Sequence, residues 1–183
     1  INDNIKSSPS ASGTTLFNYQ PSYLRSYIYS GFIQDKFGII ADELYLTVGS
    51  KFLINNYTGF EVQPNAKLTY YPSRNQTLWA SVSRAVRTPT RAEGGLNLSN
   101  GLQQGNGSYS SENVIAYELG YRIKPSGRTS FDLSTFVNQY NNLRTFEKSA
   151  PGKYNADNNG YGESYGFEVA TKWQATDNLK LEA

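Results

Sequence analysis

The sequence contains no cysteine and no histidine in its 183 residues. The absence of cysteine excludes disulfides, thiol chemistry and zinc–thiolate sites, and the absence of histidine removes the usual general base. Residues 155–160 resemble the first half of a calcium loop, but Gly166 stands where the loop needs its bidentate acid. We therefore predict no enzyme, no metal site and no cofactor.

The sequence also lacks long apolar runs and a strong charge of either sign. No segment approaches the ~18 apolar residues of a membrane helix, and the mean hydropathy is −0.57. This excludes a helical membrane protein but not a transmembrane β-barrel, whose alternating strands average to polar. A net charge of +2, from 17 basic and 15 acidic residues, predicts no nucleic-acid partner.

Aromatic residues are abundant, with 15 tyrosines, 9 phenylalanines and 2 tryptophans. The clearest periodic stretch is residues 77–90, in which Leu78, Ala80 and Val82 alternate with Ser81 and Ser83. A period of two places these sets on opposite faces of a strand. Proline cannot donate to a strand ladder, so the strand is expected to end at Pro89.

The same alternation recurs along the chain, separated by turn residues. The predicted strands are residues 23–37, 44–54, 63–71, 77–88, 113–123, 129–142, 162–174 and the start of another at 179–183. Residues 55–62 are predicted to be a loop of moderate length, and residues 88–111 and 143–161 long polar loops. Short turns at the other ends of the strands complete an alternation of short and long connections, which is typical of outer-membrane barrels.

The two predicted faces differ in chemistry. The polar face collects charges that a packed core would not tolerate but a water-filled barrel would: Lys51, Lys67, Arg87, Glu118, Arg122, Asp132, Glu168 and Lys172. The opposite face has aliphatic residues in mid-strand and aromatic residues near the ends, as in a barrel girdle. A one-sided soluble sheet, whose charged face meets water, is the alternative.

Five short segments appear in order at the expected places in these strands: Phe32-Ile33-Gln34-Asp35, Leu46-Thr47-Val48-Gly49, the run from Leu78 to Pro89, Glu118-Leu119-Gly120-Tyr121-Arg122 and Tyr165-Gly166-Phe167-Glu168. The series resembles the barrel domain of TonB-dependent outer-membrane receptors along nearly the whole chain. We therefore predict an all-β fold of antiparallel up-and-down strands that form part of a transmembrane β-barrel wall, with about seven strands and a truncated eighth.

The resemblance implies a barrel of about 22 strands closed by a plug domain, located in the bacterial outer membrane. It also implies TonB as a partner and import of a scarce ligand such as an iron-siderophore, haem, cobalamin or a glycan. No methionine opens the chain and no TonB box or plug is evident, so we expect residues 1–183 to be one partial barrel domain from a longer receptor.

Candidate binding residues lie near the predicted loops. Arg87 and Arg91 flank the exit from the strand, as solvated rim residues or as contacts to an anionic ligand. Tyr109, Tyr154 and Tyr161 are expected in the long loops, where their rings are able to stack on a ligand.

Other residues are expected to contact the membrane or one another. Arg84, on the apolar face, is expected to reach the membrane surface and lipopolysaccharide phosphate. Tyr27, Tyr29, Tyr121 and Trp173 are predicted at the membrane interface. The charges of the polar face are predicted to line the barrel interior as a ladder that mostly satisfies itself, with ligand contact as the less favoured role.

Two other functions stay open at this point. One is a soluble antiparallel β-sheet module that binds glycans or an adhesive partner. The other is part of a secreted β-rich hydrolase, which requires two acids facing each other across a groove.

Overall fold

The computed structural model describes residues 2–4, 17–98, 105 and 107–183. Within these residues lie twelve strands and one short helix. They are β1 (Asn2–Asn4), β2 (Phe17–Tyr19), β3 (Tyr23–Arg25), β4 (Ile28–Ile40), β5 (Leu44–Asn55), β6 (Gly59–Ser73), β7 (Gln76–Arg87), α1 (Arg91–Gly95), β8 (Leu96–Leu98), β9 (Glu112–Ser126), β10 (Thr129–Ala150), β11 (Lys153–Thr176) and β12 (Leu179–Glu182).

Eight of these strands form one antiparallel sheet in the order β4-β5-β6-β7-β9-β10-β11-β12. Neighbours in the sheet follow one another along the chain, with only β8 set aside between β7 and β9. The pairs β1–β3 and β2–β8 form two small separate sheets. The predicted all-β, up-and-down antiparallel architecture is confirmed, and the barrel is partial, because β4 and β12 each have a neighbour on one side only in the part of the chain described.

Cross-strand register places alternate residues on two faces. Leu46 pairs with Leu68, which pairs with Ala80, and Ala80 in turn pairs with Leu119. Directly paired residues share a face, so the apolar alternation of each strand forms continuous rows. The apolar face carries Tyr29, Ile33, Phe37, Leu46, Val48, Phe52, Leu68, Leu78, Val82, Leu119, Leu133, Val137, Phe167 and Val169.

The apolar face is uncovered. Among the described residues only Leu53, Tyr109 and Ala156 are buried hydrophobic side chains, whereas Ile33 and Phe167 are 67% and 72% exposed. A soluble sheet of this size would bury its apolar face against a second layer, and the described residues provide none. The alternative of apolar faces meeting in a soluble core is therefore not supported. No helix in the described part of the chain is long and apolar enough to span a membrane.

The prediction of a long polar loop at residues 143–161 is wrong. Strands β10 and β11 continue through it as a long hairpin that turns at Pro151 and Gly152, with Glu147 opposite Asn155. The hairpin tip has polar residues on both faces, so it lacks the alternation that reveals a strand. The two strands stay paired at the tip because it continues the ladder of the long β10–β11 hairpin.

Two other boundaries also differ from prediction. Residues 55–62 are not a loop, because Asn55 accepts hydrogen bonds from the backbone N–H of Tyr57 (2.8 Å) and Thr58 (2.9 Å) and closes a tight turn before β6. The first predicted strand is split, since residues 23–25 pair with β1 and the large sheet begins at Ile28. The predicted alternation of short and long connections is therefore wrong: within the sheet, only residues 88–111 form a long connection.

Two glycines on the polar face make room for large aromatic rings. A Cβ at Gly120 would overlap the indole of Trp79, and a Cβ at Gly166 would lie 2.8 Å from the Phe136 ring. Each glycine lies directly opposite its aromatic partner across the ladder. The ring lies flat over the neighbouring strand because that strand has no side chain at this point.

We predict that Gly120→Ala in the intact protein lowers its free energy of unfolding by about 1–3 kcal/mol, since overpacking displaces the Trp79 ring. The measurement is urea unfolding of the protein in bilayers. Gly31→Ala is the matched control, because a Cβ at Gly31 meets nothing within 4 Å. Equal unfolding midpoints for the two variants would contradict the packing described.

Candidate functional site on the polar face

The charges predicted for the polar side of the sheet lie on one face. Register connects Lys67 to Ser81 and Glu118 in one row, and Arg122 to Asp132 in another. The same parity places Lys51, Glu168 and Lys172 on that face. The polar face therefore carries charges in several of its rows, and its two ends differ in how the charges are paired.

At the end of β7 five side chains form what we call the loop-end cluster: Arg87, Glu93, Tyr109, Glu112 and Arg144. Arg87 Nη2 lies 2.8 Å from Glu93 Oε1 and 2.6 Å from Glu112 Oε1. Its Nε donates to Glu112 Oε2 at 2.8 Å, and its Nη1 donates to Glu93 Oε2 at 3.1 Å. The guanidinium thus holds two carboxylates at once, each through paired hydrogen bonds.

Glu93 reaches Arg87 because it lies in the first turn of α1. Thr90 caps this helix, and its side chain accepts from the Glu93 N–H while the Glu93 carboxylate accepts from the Thr90 N–H at 2.8 Å. This reciprocal pair is a capping box, and it fixes the carboxylate at the start of the helix. The local sequence Thr90-Arg91-Ala92-Glu93 therefore places the acid beside the arginine that ends β7.

The loop-end cluster is buried from solvent on its acidic side. Glu93 is 3% exposed and Tyr109 is 4% exposed. Burial raises the pKa of Glu93, but hydrogen bonds from Arg87 and Thr90 outweigh burial, and the net pKa is lowered. Burial, together with the nearby carboxylates, raises the pKa of Tyr109 to about 12, so its phenol stays protonated and donates to Glu112 Oε1 at 3.3 Å.

The loop-end cluster also holds the long hairpin. The backbone N–H of Arg144 donates to Glu112 Oε1 at 2.9 Å, and Arg144 Nη1 lies 3.5 Å from Glu93 Oε1. Beside it, Asn158 exchanges hydrogen bonds with the backbone of Ser110 at 2.8 and 3.3 Å. Two arginines thus face two carboxylates, and the cluster carries no surplus charge with which to attract an anion.

Both arginines proposed from sequence as anion contacts have protein partners. Arg87 is held as described, and Arg91 donates to the carbonyl of Pro21 and lies 5.2 Å from the centroid of the Tyr19 ring. Arg91 thereby fastens the segment before β3 to the helix. These guanidiniums organise the loop end. The Arg87 side chain is still 45% exposed at the rim, and contact of either arginine with an anionic ligand stays a prediction.

Of the three tyrosines expected in loops, only Tyr109 lies in one among the described residues. Tyr109 is buried in the loop-end cluster, and Tyr154 and Tyr161 lie within β11. Tyr161 pairs with Asn141 and is 87% exposed on the apolar side of the hairpin. The prediction of loop tyrosines was wrong for Tyr154 and Tyr161, because it depended on the loop at residues 143–161 that the structure replaces by strands.

The residues proposed for the membrane interface lie near both ends of the strands. Tyr29, Tyr121 and Trp173 lie on the apolar face, and the Tyr27 ring lies 5.7 Å from that of Tyr29 just before β4. Arg84 is also on this face, but it donates to the Val62 carbonyl and lies 3.8 Å from the Glu61 carboxylate. Its lipopolysaccharide contact stays a prediction.

At the other end of the polar face is a groove of about 560 Å³, which we call the turn-end groove. It is lined by Lys67, Thr69, Tyr71, Arg74, Asn75, Thr77, Trp79, Arg122 and Lys124. The Lys67 ammonium lies 4.3 Å from the centroid of the Trp79 ring, which is a cation–π contact. Arg122 is paired with Asp132 on the next strand.

Sequence reasoning missed most of the turn-end groove. Arg74 and Lys124 lie between the predicted strands, where the sequence pattern gives no sign of a site, although the Lys124 N–H donates to the Asn75 carbonyl at 2.8 Å and brings the two turns together. Trp79 was also missed. The alternation of β7 places it on the polar face, where an indole is unusual and marks a packed site.

The remaining charges of the polar face are paired in part. Ser81 donates to Glu118 at 2.8 Å, and Lys172 lies 3.5 Å from Glu182 of β12. Among the described residues no ion pair involves Lys51 or Glu168. The predicted self-satisfying ladder therefore holds for some rows, and a ligand contact by any of these charges stays a prediction.

Comparison with known families and structures gives one consistent result. The family model described as "TonB dependent receptor-like, beta-barrel" matches residues 2–182. None of the curated proteins compared with the chain matches it.

Several solved structures share the fold. The ferric enterobactin receptor PfeA of Pseudomonas aeruginosa, in complex with enterobactin, has a TM-score of 0.74 at 21% identity, over 88% of this chain and 26% of that one. The siderophore receptor PirA of Acinetobacter baumannii has a TM-score of 0.68 at 20% identity, over 85% of this chain and 27% of that one. The FrpB iron transporter of Neisseria meningitidis has a TM-score of 0.62 at 15% identity, over 86% of this chain and 24% of that one. The chain spans about a quarter of each structure.

We predict that Glu93→Gln in the intact protein releases the segment of residues 88–95. Loss of a buried charged acceptor costs about 2 kcal/mol, which corresponds to roughly 30-fold faster amide hydrogen exchange in that segment. The pKa of Glu93 is lowered on folding. The contribution of the Glu93 carboxylate to the free energy of unfolding is therefore complete above pH 4.5, the ordinary carboxyl pKa, and is lost as the pH falls through the lowered pKa.

The matched control is Glu43→Gln, an exposed acid in a turn at the other end of the sheet. It is expected to leave exchange in residues 88–95 unchanged. Exchange at pH 7 that is equally fast in the unsubstituted protein and in Glu93→Gln would contradict the role assigned to the loop-end cluster.

Proposed function

Because the chain belongs to the family of TonB-dependent receptor-like β-barrels, we propose that it forms part of the wall of an outer-membrane receptor that imports a ferric siderophore. The receptor is the longer protein of which these strands are one part. Its barrel is closed by a plug domain, and its transport is energised through TonB. The activity is transport and not catalysis.

One observation carries this proposal: a single layer of strands has one exposed apolar face and one charged face. Ile33 and Phe167 are stable without a second protein layer when they contact lipid, because the hydrocarbon chains replace water around their apolar side chains. A water-filled interior is the surrounding that accepts Lys51 and Glu168, since charges without partners keep their hydration there. A barrel wall provides both surroundings at once.

The ligand class is supported by the neighbours in fold. Two of the compared structures are described as siderophore or ferric enterobactin receptors and a third as an iron transporter. Haem, cobalamin and glycans are the alternatives. The loop-end cluster supports a scaffold role for this part of the mouth, because its charges neutralise one another and its arginines are held by protein.

The test is uptake by Gram-negative cells that lack the gene for the parent protein, compared with the same cells carrying it. With radiolabelled ferric enterobactin and other ferric siderophores as probes, we expect uptake of one of them to fall to background in the deletion strain. The same loss is expected when TonB is absent, because transport through a plugged barrel requires it.

Haem and cobalamin uptake serve as matched controls and are expected to be unchanged by the deletion. If the deletion leaves the uptake of every ferric siderophore unchanged and abolishes haem or cobalamin uptake, the proposed ligand class is wrong and the proposed transport role is kept. If no uptake depends on the parent gene, the proposed function is wrong.

A further inference from the structure

Arg87 and Arg91 differ in how many of their donors are used. Every guanidinium nitrogen of Arg87 donates to a carboxylate. Arg91 donates through Nη2 to the Pro21 carbonyl, and its Nε is buried without a hydrogen-bond partner among the described residues. A buried N–H without an acceptor is destabilising unless another molecule supplies one.

The charge of Arg91 is also uncompensated. The ion pairs found in the part of the chain that the structure describes do not include Arg91. Its guanidinium is held by neutral groups, which are the Pro21 carbonyl, the Tyr19 ring with its centroid 5.2 Å away, and the backbone at Gly95, where an added Cβ would lie 3.2 Å from Nη1. A cation held in place without a carboxylate partner attracts an anion.

Arg91 lies on the wall of a small pocket, which we call the Arg91 pocket. Its volume is about 160 Å³, and it lies between the segment before β3, the β5–β6 turn and α1. It is lined by Gln20, Pro21, Leu24, Asn56, Tyr57, Pro89, Arg91, Gly94, Gly107 and Tyr109, none of which is acidic. Liquid water occupies about 30 Å³ per molecule, so the pocket is several times larger than a single water requires.

Much of the pocket wall is apolar. Hydrocarbon surface comes from five of the lining residues: Pro21, Leu24, Tyr57, Pro89 and Tyr109. The two tyrosine hydroxyls already have hydrogen-bond partners. An inorganic anion would meet Arg91 but make no use of these apolar walls. A small flat organic acid uses both, because its carboxylate contacts the cation and its body contacts the rings and prolines.

We propose that the Arg91 pocket binds the carboxylate of a small flat organic acid, with Arg91 Nε as a donor and the apolar wall around the body of the acid. This accessory site goes beyond the proposed transport function. Residues 20–24 and residues 89–94 contribute to opposite parts of the pocket, so the bound acid strengthens the contact between these two segments. The acid is either a free molecule or a carboxylate group of the imported ligand, since both present the same chemistry to Arg91.

The experiment is isothermal titration calorimetry of the purified full-length receptor with benzoate as the probe, together with amide hydrogen exchange of the same samples. We expect benzoate to bind and to slow exchange in residues 20–24 and 89–94. Arg91→Gln is expected to weaken benzoate binding about ten-fold, as for the loss of one charge-assisted hydrogen bond. Benzamide has the same shape without the charge, and we expect it to bind the unsubstituted receptor about ten-fold more weakly than benzoate.

Arg25→Gln is the matched control, because Arg25 is an exposed arginine of β3 that does not line the pocket. It is expected to leave benzoate binding unchanged. The inference is wrong if benzoate does not bind, if benzamide binds as tightly as benzoate, or if Arg91→Gln has no effect. The benzamide comparison needs no substitution, so it decides the matter even where Arg91→Gln loosens the loops. Acetate or phosphate that binds as tightly as benzoate also overturns the inference, in favour of an adventitious ion only.

Uptake measurements separate the two sources of the carboxylate. If benzoate slows uptake of the ferric siderophore and Arg91→Gln raises the KM of that uptake, the imported ligand supplies the carboxylate. If benzoate binds and uptake is unchanged, the occupant is a free acid, and the site is supported in both cases. Because binding is measured on the purified receptor, its failure leaves the proposed transport function untouched. A receptor that binds benzoate but imports no siderophore contradicts only the proposed function.

Discussion

The hydrogen-bonded ladder between neighbouring strands is the constraint on which this structure depends. Eight strands pair antiparallel in sequence order, with β8 set aside, and bulges shift the register at a few positions. A hydrocarbon surrounding offers no partner for a backbone N–H or C=O, so each strand must satisfy these groups through its neighbours. Once the ladder does so, the sheet needs no packed core, and its side chains are free to differ completely on the two faces.

The ladder also explains how the charged face is organised. Register places Arg87 directly opposite Glu112, and the capping box of α1 adds Glu93, so the mouth of the wall is stabilised by pairs that the strand ends bring together. At the other end the same register gathers Lys67, Trp79 and Arg122 without an equal number of acids. The charges of the loop-end cluster neutralise one another, whereas at the turn end Arg122 pairs with Asp132 and Lys67 lies against the Trp79 ring.

Much of the fold could be predicted from alternation, because lipid and water impose opposite chemistry on successive residues. Leu78, Ala80 and Val82 marked β7 in this way. The strands in residues 143–161 were not predicted, since polar residues occur on both of their faces and no alternation marks them. The pairing of Arg87 with Glu112 could not be predicted either, because Glu112 lies 25 residues away and only the register of β7 with β9 brings it close.

The most direct test of the central claim is the lipid exposure of adjacent residues in the intact receptor. Spin labels at Leu46, Val82 and Leu119 lie on the apolar face, and labels at Thr47, Ser83 and Glu118 lie on the polar face. In bilayers the account predicts that oxygen, which partitions into lipid, relaxes the first set, and that a water-soluble relaxant relaxes only the second. If the first set is as accessible to the water-soluble reagent as the second, or shielded from both, the sheet is not a membrane wall.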